Sequence, residues 1–172
     1  MRRTSLVQRL FAIALIIWAI DFLTKNWALE NLSFSSSRPI IGSFLQLTLL
    51  RNPGAAFSMA TGFTIVFTSI SIAVVLFIAR YAHRIVAPWW AYVAGMVLGG
   101  VLGNLTDRIF REPGFLYGHV IDWIELPNWP IFNVADSSIV IAAGIAILLT
   151  AKNIAPINKT EDSETNQTGN NE

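Results

Sequence analysis

Cysteine is absent from this chain of 172 residues, and charged side chains make up only 13% of it. The absence of cysteine excludes a disulfide scaffold and any metal site built on thiolates. The only histidines are His83 and His119, so the His-Glu-x-x-His motif of zinc hydrolases is also excluded. A net charge of +1 gives no reason to expect nucleic acid as a partner. Since roughly a quarter of the residues in a soluble domain are charged, this scarcity argues against one.

Hydrophobic residues account for 53% of the chain. Because disordered chains contain few such residues, this composition excludes a disordered protein. A helix needs roughly 20 apolar residues to span a bilayer. Four stretches approach that length, at residues 10–29, 62–79, 87–105 and 134–151. We therefore predict an all-α membrane protein with four transmembrane helices, folded as a single domain over residues 1–157.

The first stretch follows three arginines, as the apolar segment of a secretory signal does. It is too long for such a segment, it contains Asp21 and Lys25, and no small-residue cleavage site follows it. We therefore predict that it is retained as a helix.

The distribution of lysine and arginine predicts the orientation of the helices. Seven basic residues lie on one side, namely Arg2, Arg3, Arg9, Arg80, Arg84, Lys152 and Lys159. Five lie on or near the other side, namely Lys25, Arg38, Arg51, Arg108 and Arg111. This bias places both termini in the cytoplasm and the two longer loops outside. Residues 158–172 are polar and acidic, with no apolar side chain to bury, and are predicted to be a disordered cytoplasmic tail.

The two outer loops carry different patterns. In the first, residues 45–49 alternate with a period of two, which is typical of a strand, and Asn52-Pro53-Gly54 then indicates a turn. A small extracytoplasmic β-sheet is predicted there. The second loop, 106–132, contains two tryptophans, whose rings favour the membrane–water boundary. We expect a loop or helix here that lies along the membrane surface.

Ionisable residues inside a membrane span are costly, so each one needs a physical reason. Asp21 and Lys25 are four residues apart in the first helix, with the acid before the base, which places them on one face as a favourable pair. A structural ion pair and a role at a substrate site both remain open for them. In the third helix Gly95, Gly99 and Gly103 repeat every four residues, which predicts close packing against another helix.

The remaining polar residues lie near the outer ends of the third and fourth helices. Asn104 and Asp107 share a helix face and can tie it to a neighbouring loop, while Asp107 beside Arg108 also fits an interfacial pair. Asp136 fits the third position of a helix capped by Asn133, where the helix dipole stabilises an acid. Taken singly, each aspartate favours a structural role over a catalytic one.

Five segments together resemble bacterial lipoprotein signal peptidase, also called signal peptidase II. In chain order they are Asp21-x-x-Thr24-Lys25, Asn52-Pro53-Gly54-Ala55-Ala56-Phe57, the run Gly-Gly-Val-Leu-Gly-Asn-Leu-Thr-Asp-Arg from Gly99 to Arg108, Gly118-His119-Val120-Ile121-Asp122-Trp123, and Phe132-Asn133-Val134-Ala135-Asp136-Ser137. Each is weak alone, but all five occur in the family's order, and the four-helix plan agrees. Two features depart from the family: Trp123 stands where phenylalanine is usual, and residues 109–117 form a longer connection.

The resemblance implies a membrane aspartic endopeptidase. Such an enzyme removes the signal peptide of a prolipoprotein, cutting before a cysteine that carries a diacylglyceryl group. By motif position, Asp122 and Asp136 are implied to be the catalytic pair. Nine further residues match positions that the family uses to shape or support the site: Asp21, Lys25, Asn52, Gly54, Asn104, Asp107, Arg108, Asn133 and Ala135.

The resemblance also implies a setting for this reaction. It needs no metal and no cofactor, and it takes place at the outer face of the bacterial inner membrane. The expected partners are diacylglyceryl-modified prolipoproteins and membrane lipids, and we expect the chain to act as a monomer. Two carboxylates that share a site hold one proton between them, and we expect Asp122 to carry it more often, since a helix start favours charge on Asp136.

Three other interpretations remain open from the residues alone. A Ser–Lys catalytic dyad would use Lys25, the only lysine near the outer face. A small membrane assembly protein would use its polar residues only to lock four helices together. A transporter component would line a proton path with Asp21, Lys25 and Asp136, although the absence of an internal repeat argues against it.

Overall fold

The computed structural model describes residues 3–34, 36–54 and 64–157. In chain order its elements are α1 (Arg3–Asn31), β1 (Ser37–Ile41), β2 (Leu45–Asn52), α2 (Thr64–Tyr81), a 3-10 turn (Ala82–Arg84), α3 (Pro88–Phe110), β3 (Val120–Glu125) and α4 (Val134–Ala151). The predicted tail, 158–172, lies outside the described residues, as do residues 55–57 of the second family-like segment and the start of the second predicted span.

All four predicted helices form, and their ends follow local chemistry. α1 runs further than the apolar stretch that predicted it, because no glycine or proline interrupts the chain between Arg3 and Asn31. Pro88 occupies the first turn of α3, where its missing N–H costs nothing. α3 continues beyond residue 105 to Phe110, so Asn104, Asp107 and Arg108 lie on its last turns.

Within the described residues, three helical segments are long and apolar enough to cross a membrane: Thr4–Asn31, Thr64–Arg84 and Val134–Ala151. α3 has 23 residues and is also long enough, but glycines and aromatic residues dilute its apolar sequence. Large apolar side chains are exposed on the outward faces of the first, second and fourth helices, as at Leu23, Leu76 and Ile147. This exposure is what lipid-facing helices require.

The helices pack most closely where α3 meets α1. A side chain added at Gly95 would lie 2.7 Å from the backbone oxygen of Leu10, and one at Gly99 would lie 2.7 Å from that of Ala14. At Gly103 it would clash with a carboxylate oxygen of Asp21. The prediction of close packing along this glycine repeat is therefore confirmed, and the last glycine also makes room for a buried acid.

A three-stranded antiparallel sheet in the order β1–β2–β3 lies against the carboxyl end of α1. Ala28 of α1, Leu49 of β2 and Ile121 of β3 form a buried apolar cluster that joins the sheet to the helix. The predicted strand at 45–49 is confirmed as part of β2, and the chain then turns at Gly54, which has a positive φ of 104°.

The second outer loop corrects one expectation. Residues 106–110 continue α3, and residues 120–125 form β3 rather than a loop lying along the surface. β3 pairs with β2, with Asp122 opposite Leu50 and Val120 opposite Asn52. Within the described residues no helix lies between 111 and 133.

The glycine packing predicts that the same substitution, glycine to alanine, changes the free energy of unfolding differently at two positions. Gly99→Ala places a methyl group against the backbone of α1 and is expected to lower the free energy of unfolding by about 1–3 kcal/mol. Gly144→Ala is the control, since no atom of the described residues lies within 4 Å of the added atom, and it is expected to be neutral or stabilising by about 0.5–1 kcal/mol. Thermal unfolding in detergent measures both, and equal effects would contradict the assigned packing.

Candidate active site

Two aspartates from different elements meet at the end of the helices that carries the sheet. Asp122 lies on β3 and is only 1% exposed, and Asp136 lies in the first turn of α4. Asn133, the N-cap of α4, connects them. Its side-chain nitrogen donates to Oδ1 of Asp122 at 2.6 Å, and its side-chain oxygen accepts from the backbone N–H of Asp136 at 2.9 Å.

The predicted capping arrangement at the start of α4 is confirmed. The backbone N–H of Asn133 donates to Oδ2 of Asp136 at 3.2 Å, which completes a reciprocal capping box. The capping box does not engage the whole carboxylate. It holds Oδ2 of Asp136 and leaves Oδ1 directed toward α3. The cap therefore fixes the position of a carboxylate that faces Asp122.

Two further asparagines complete the hydrogen bonding of the pair. Asn52, at the end of β2, donates from Nδ2 to Oδ2 of Asp122 at 2.8 Å, while Asn104 of α3 donates from Nδ2 to Oδ1 of Asp136 at 2.8 Å. Gly54 keeps the Asn52 amide in this orientation, because its backbone N–H donates to Oδ1 of Asn52 at 2.8 Å. Each carboxylate thus accepts two N–H donors.

A buried ion cluster lies next to this pair. The ammonium of Lys25 is 2.7 Å from Asp21 and 2.8 Å from Asp107, and it donates to Oδ1 of Asn104 at 2.9 Å. Two carboxylates and an amide oxygen surround this fully buried ammonium, which places Lys25 in an ion cluster rather than beside a serine. This arrangement argues against a Ser–Lys dyad and favours the structural ion pair for Asp21 and Lys25.

Asp21 and Asp107 each connect a helix to another element. Oδ1 of Asp21 accepts from the backbone N–H of Ala135 at 2.9 Å, which joins α1 to the start of α4. Oδ2 of Asp107 accepts from the backbone N–H of Ile121 at 3.2 Å, which joins α3 to β3. The expectation that this helix end is tied to a neighbouring segment is confirmed for Asp107.

Asp107 pairs with Lys25 and with Arg111 rather than with the adjacent Arg108. Arg111 was not among the residues singled out from the sequence, although its position four residues after Asp107 on the same helix is the spacing at which side chains meet. Its guanidinium also donates to Oδ1 of Asn26 on α1 at 3.1 Å.

Arg108 has a different environment. It is 8% exposed, its guanidinium lies 5.8 Å from the ring centre of Phe67, and the charges of Asp122, Asp107 and Asp136 all act on it. Within the described residues its Nε and Nη1 atoms have no hydrogen-bond partner. A buried guanidinium with unused donors is available to an acceptor brought by a ligand.

The surroundings of Asp122 favour its neutral form. Burial, together with the negative charge of Asp136, raises the pKa of Asp122 to about 7, against smaller opposing effects of the hydrogen bonds from Asn52 and Asn133 and of the charge of Lys25. This direction agrees with the expectation that Asp122 holds the shared proton more often.

The structure brings together all eleven residues singled out from the sequence. Arg108 contributes through its charge, and the other ten form one network of hydrogen bonds and ion pairs: Asp21, Lys25, Asn52, Gly54, Asn104, Asp107, Asp122, Asn133, Ala135 and Asp136. The members of this network lie far apart in the sequence, from Asp21 to Asp136, but they occupy one end of the fold. Because the polar groups are gathered at one end, the structure argues against a proton path through the membrane.

Comparison with known proteins agrees with this geometry. Residues 13–152 match the family model of signal peptidase (SPase) II. A lipoprotein signal peptidase from Rhodococcus jostii (strain RHA1) is 47% identical over 147 residues, covering 86% of this chain and 74% of that protein. One from Mycobacterium avium (strain 104) is 50% identical over 148 residues, covering 86% of this chain and 80% of that protein.

Two solved structures have the same fold. A bacterial membrane enzyme determined by the in meso method at 2.3 Å resolution superposes with a TM-score of 0.74 and 25% identity, covering 88% of this chain and 92% of its own. A second, determined by the same method at 1.9 Å resolution, gives a TM-score of 0.73 and 28% identity, covering 83% and 92%.

The ion cluster predicts that replacing Lys25 strongly lowers the free energy of unfolding and that a second substitution, at Asp21, restores part of it. Lys25→Met leaves Asp21 and Asp107 buried without their shared cation and is expected to cost about 3–5 kcal/mol of unfolding free energy. Adding Asp21→Asn removes one uncompensated charge, so the double variant is expected to be more stable than Lys25→Met alone. Unfolding in detergent measures both, and a double variant that is less stable would contradict the assignment.

The raised pKa of Asp122 predicts a pH-dependent difference in stability. The folded wild type binds a proton here that the unfolded chain releases near pH 4, so its stability falls as pH rises toward and through about 7. Asp122→Asn removes this loss. As the pH rises from 4 to 8, the unfolding free energy of the variant relative to that of the wild type is therefore expected to increase by up to about 4 kcal/mol. A difference in unfolding free energy that is the same at both pH values would contradict the raised pKa.

Proposed function

The chain belongs to the signal peptidase II family, and on this premise we propose that Asp122 and Asp136 are its catalytic pair. As a member of that family, it is a membrane protease that removes signal peptides from lipoproteins. The observation that carries the proposal is the paired burial of the two carboxyls, each held by two amide donors and linked through Asn133. Asp21 and Asp107, the other acids of the network, form ion pairs, whereas Asp122 and Asp136 form none with the residues that the structure describes.

The pair divides the work of hydrolysis between its members. Asp136, at a helix start that favours negative charge, takes a proton from a water molecule as the water attacks the scissile carbonyl carbon. Asp122, whose pKa is raised to about 7, donates its proton toward the carbonyl oxygen as the tetrahedral intermediate forms. Collapse of that intermediate breaks the C–N bond as the proton gained by Asp136 passes to the leaving amine. One hydroxyl of the intermediate returns its proton to Asp122, which leaves a carboxyl product and restores the pair.

The supporting residues hold this geometry rather than react. Asn52, Asn104 and Asn133 fix the orientation of both carboxyls. Arg108 has unused donors beside the pair, and in this proposal it binds a backbone carbonyl of the substrate. The ion cluster of Lys25 with Asp21 and Asp107 anchors the helices behind the pair.

The finer features of the reaction belong to the same proposal. The substrate is a diacylglyceryl-modified prolipoprotein, cut immediately before its lipidated cysteine. α3 crosses the membrane as well as α1, α2 and α4, which gives four spans, since its 23 residues extend about 34 Å. Residues 1–157 act as one domain and as a monomer, with both termini in the cytoplasm and the pair at the outer face of the inner membrane. A signal helix and a diacylglyceryl tail both partition into lipid, so the scissile bond meets the pair at that boundary.

Cleavage assays of purified variants test the pair. Asp122→Asn and Asp136→Asn are each expected to lower the rate of cleavage of a diacylglyceryl-modified prolipoprotein at least about a hundredfold, because each removes one proton-transfer group. Glu125→Gln is the matched control. It lies three residues from Asp122 on the same strand and bonds Ser37 and Thr48 instead of the pair, so activity close to wild type is expected.

Three further measurements make the result decisive. Thermal unfolding confirms that each variant is folded, and the same prolipoprotein without its lipid measures the requirement for the diacylglyceryl group. Mass spectrometry of the released peptide locates the cut. Full activity in either aspartate variant would rule out the pair, whereas equal cleavage of the unlipidated substrate would refute only the substrate proposal.

A further inference from the structure

A second feature lies at the opposite end of the helices from the carboxyl pair. A groove of about 430 Å³ opens between the end of α2, the start of α3 and residues 156–157. Its volume is that of a small-molecule binding pocket. Trp90 lines the groove and lies fourteen residues before Asn104 on the same helix, which corresponds to about 21 Å of helix rise. The groove is therefore separate from the proposed catalytic site.

The walls of the groove are apolar and held in place. One wall is a stripe on α3 formed by Trp90, Val93, Ala94 and Val97, which recur at the spacing of one helix face. The indole N–H of Trp90 donates to the backbone oxygen of Ile154 at 2.7 Å. The backbone N–H of Val86 donates to the oxygen of Pro156 at 3.0 Å, which fixes the segment after α4 along the groove.

The rim of the groove is cationic. Arg84 lines it, and the guanidinium groups of Arg84 and Arg80 lie 5.1 and 5.7 Å from the ring centre of Tyr81, which also lines it. No aspartate or glutamate occurs in the sequence between residues 62 and 106. Across the part of the chain that the structure describes, neither arginine has an ion pair. The two charges are available to an anion at the mouth of an apolar groove.

We infer that this groove binds an anionic phospholipid of the leaflet at that end of the helices. One acyl chain lies along the α3 stripe, and the phosphate is bound by Arg84 with Arg80. An apolar wall below a cationic rim is complementary to such a molecule, whereas a zwitterionic lipid brings its own cation to the same place. The acidic residues of 158–172 match the charge of the rim, but that segment has no apolar side chain to fill the groove.

Native mass spectrometry of the full chain in detergent tests this inference. The probes are palmitoyl-oleoyl phosphatidylglycerol and palmitoyl-oleoyl phosphatidylcholine. Arg84→Gln is expected to weaken phosphatidylglycerol binding about fivefold and to leave phosphatidylcholine binding unchanged. Arg9→Gln is the matched control, because Arg9 is exposed on α1 near the same end but does not line the groove. An equal loss in both variants would show unspecific attraction and overturn the inference.

A second pair of variants tests the apolar part of the site. Ala94→Phe fills the groove and is expected to weaken binding of both lipids at least about tenfold. Ala143→Phe adds the same ring to an exposed face of α4 and is expected to change neither. Unchanged binding in a folded Ala94→Phe variant would overturn the inference. If Ala94→Phe does not fold, Arg84→Gln still tests the site, because Arg84 is exposed and its replacement does not disturb the core.

A third comparison separates the lipid from the chain's own acidic segment. The combined variant Glu161→Gln, Asp162→Asn and Glu164→Gln is expected to bind phosphatidylglycerol as wild type does. A tenfold gain in affinity would show that these acids, rather than a lipid, are the partners of the arginines. Because the readout is lipid binding, loss of the proposed catalytic pair would not affect it.

Discussion

The fold depends on one buried cation. Lys25 is fully enclosed, and a lone ammonium in such surroundings would oppose folding by far more than one apolar contact offsets. Asp21 from the same helix and Asp107 from α3 hold it at 2.7 and 2.8 Å. Because Asp21 also accepts the backbone N–H of Ala135, and Asp107 that of Ile121, the one cation fixes α1, α3, α4 and β3 relative to each other.

The same cation sets the orientation of a group at the carboxyl pair. Oδ1 of Asn104 accepts from Lys25 at 2.9 Å and from Asn133 at 3.1 Å, so its Nδ2 is directed toward Asp136, to which it donates at 2.8 Å. An amide whose oxygen is held by two donors cannot turn over without losing both. The ion cluster therefore acts on Asp136 through Asn104, and the charge of Lys25 also favours the ionised form of Asp122.

Much of this arrangement was predictable, and the exceptions have physical causes. Apolar length predicts the helices, and the glycine repeat predicts the α1–α3 packing, because both are local patterns. β3 was missed because it is a strand only by virtue of pairing with β2, about seventy residues earlier, which no local pattern shows. The meeting of Asp122 and Asp136 came from the family resemblance, not from spacing. Arg111 was overlooked although its spacing from Asp107 is local.

Charge balance favours one bound proton at the site. Asp21, Asp107, Asp122 and Asp136 are four carboxyls gathered around three cations, Lys25, Arg108 and Arg111. With every acid ionised, the cluster would carry one uncompensated negative charge in surroundings that solvate charge poorly. A single proton makes it neutral. Among the residues that the structure describes, Asp122 has no ion pair, and its surroundings raise its pKa to about 7, which favours the proton on this acid. The structural ion pairs occupy Asp21 and Asp107, and they thereby leave at the pair a carboxyl that can be protonated near neutral pH, as the proposed general acid requires.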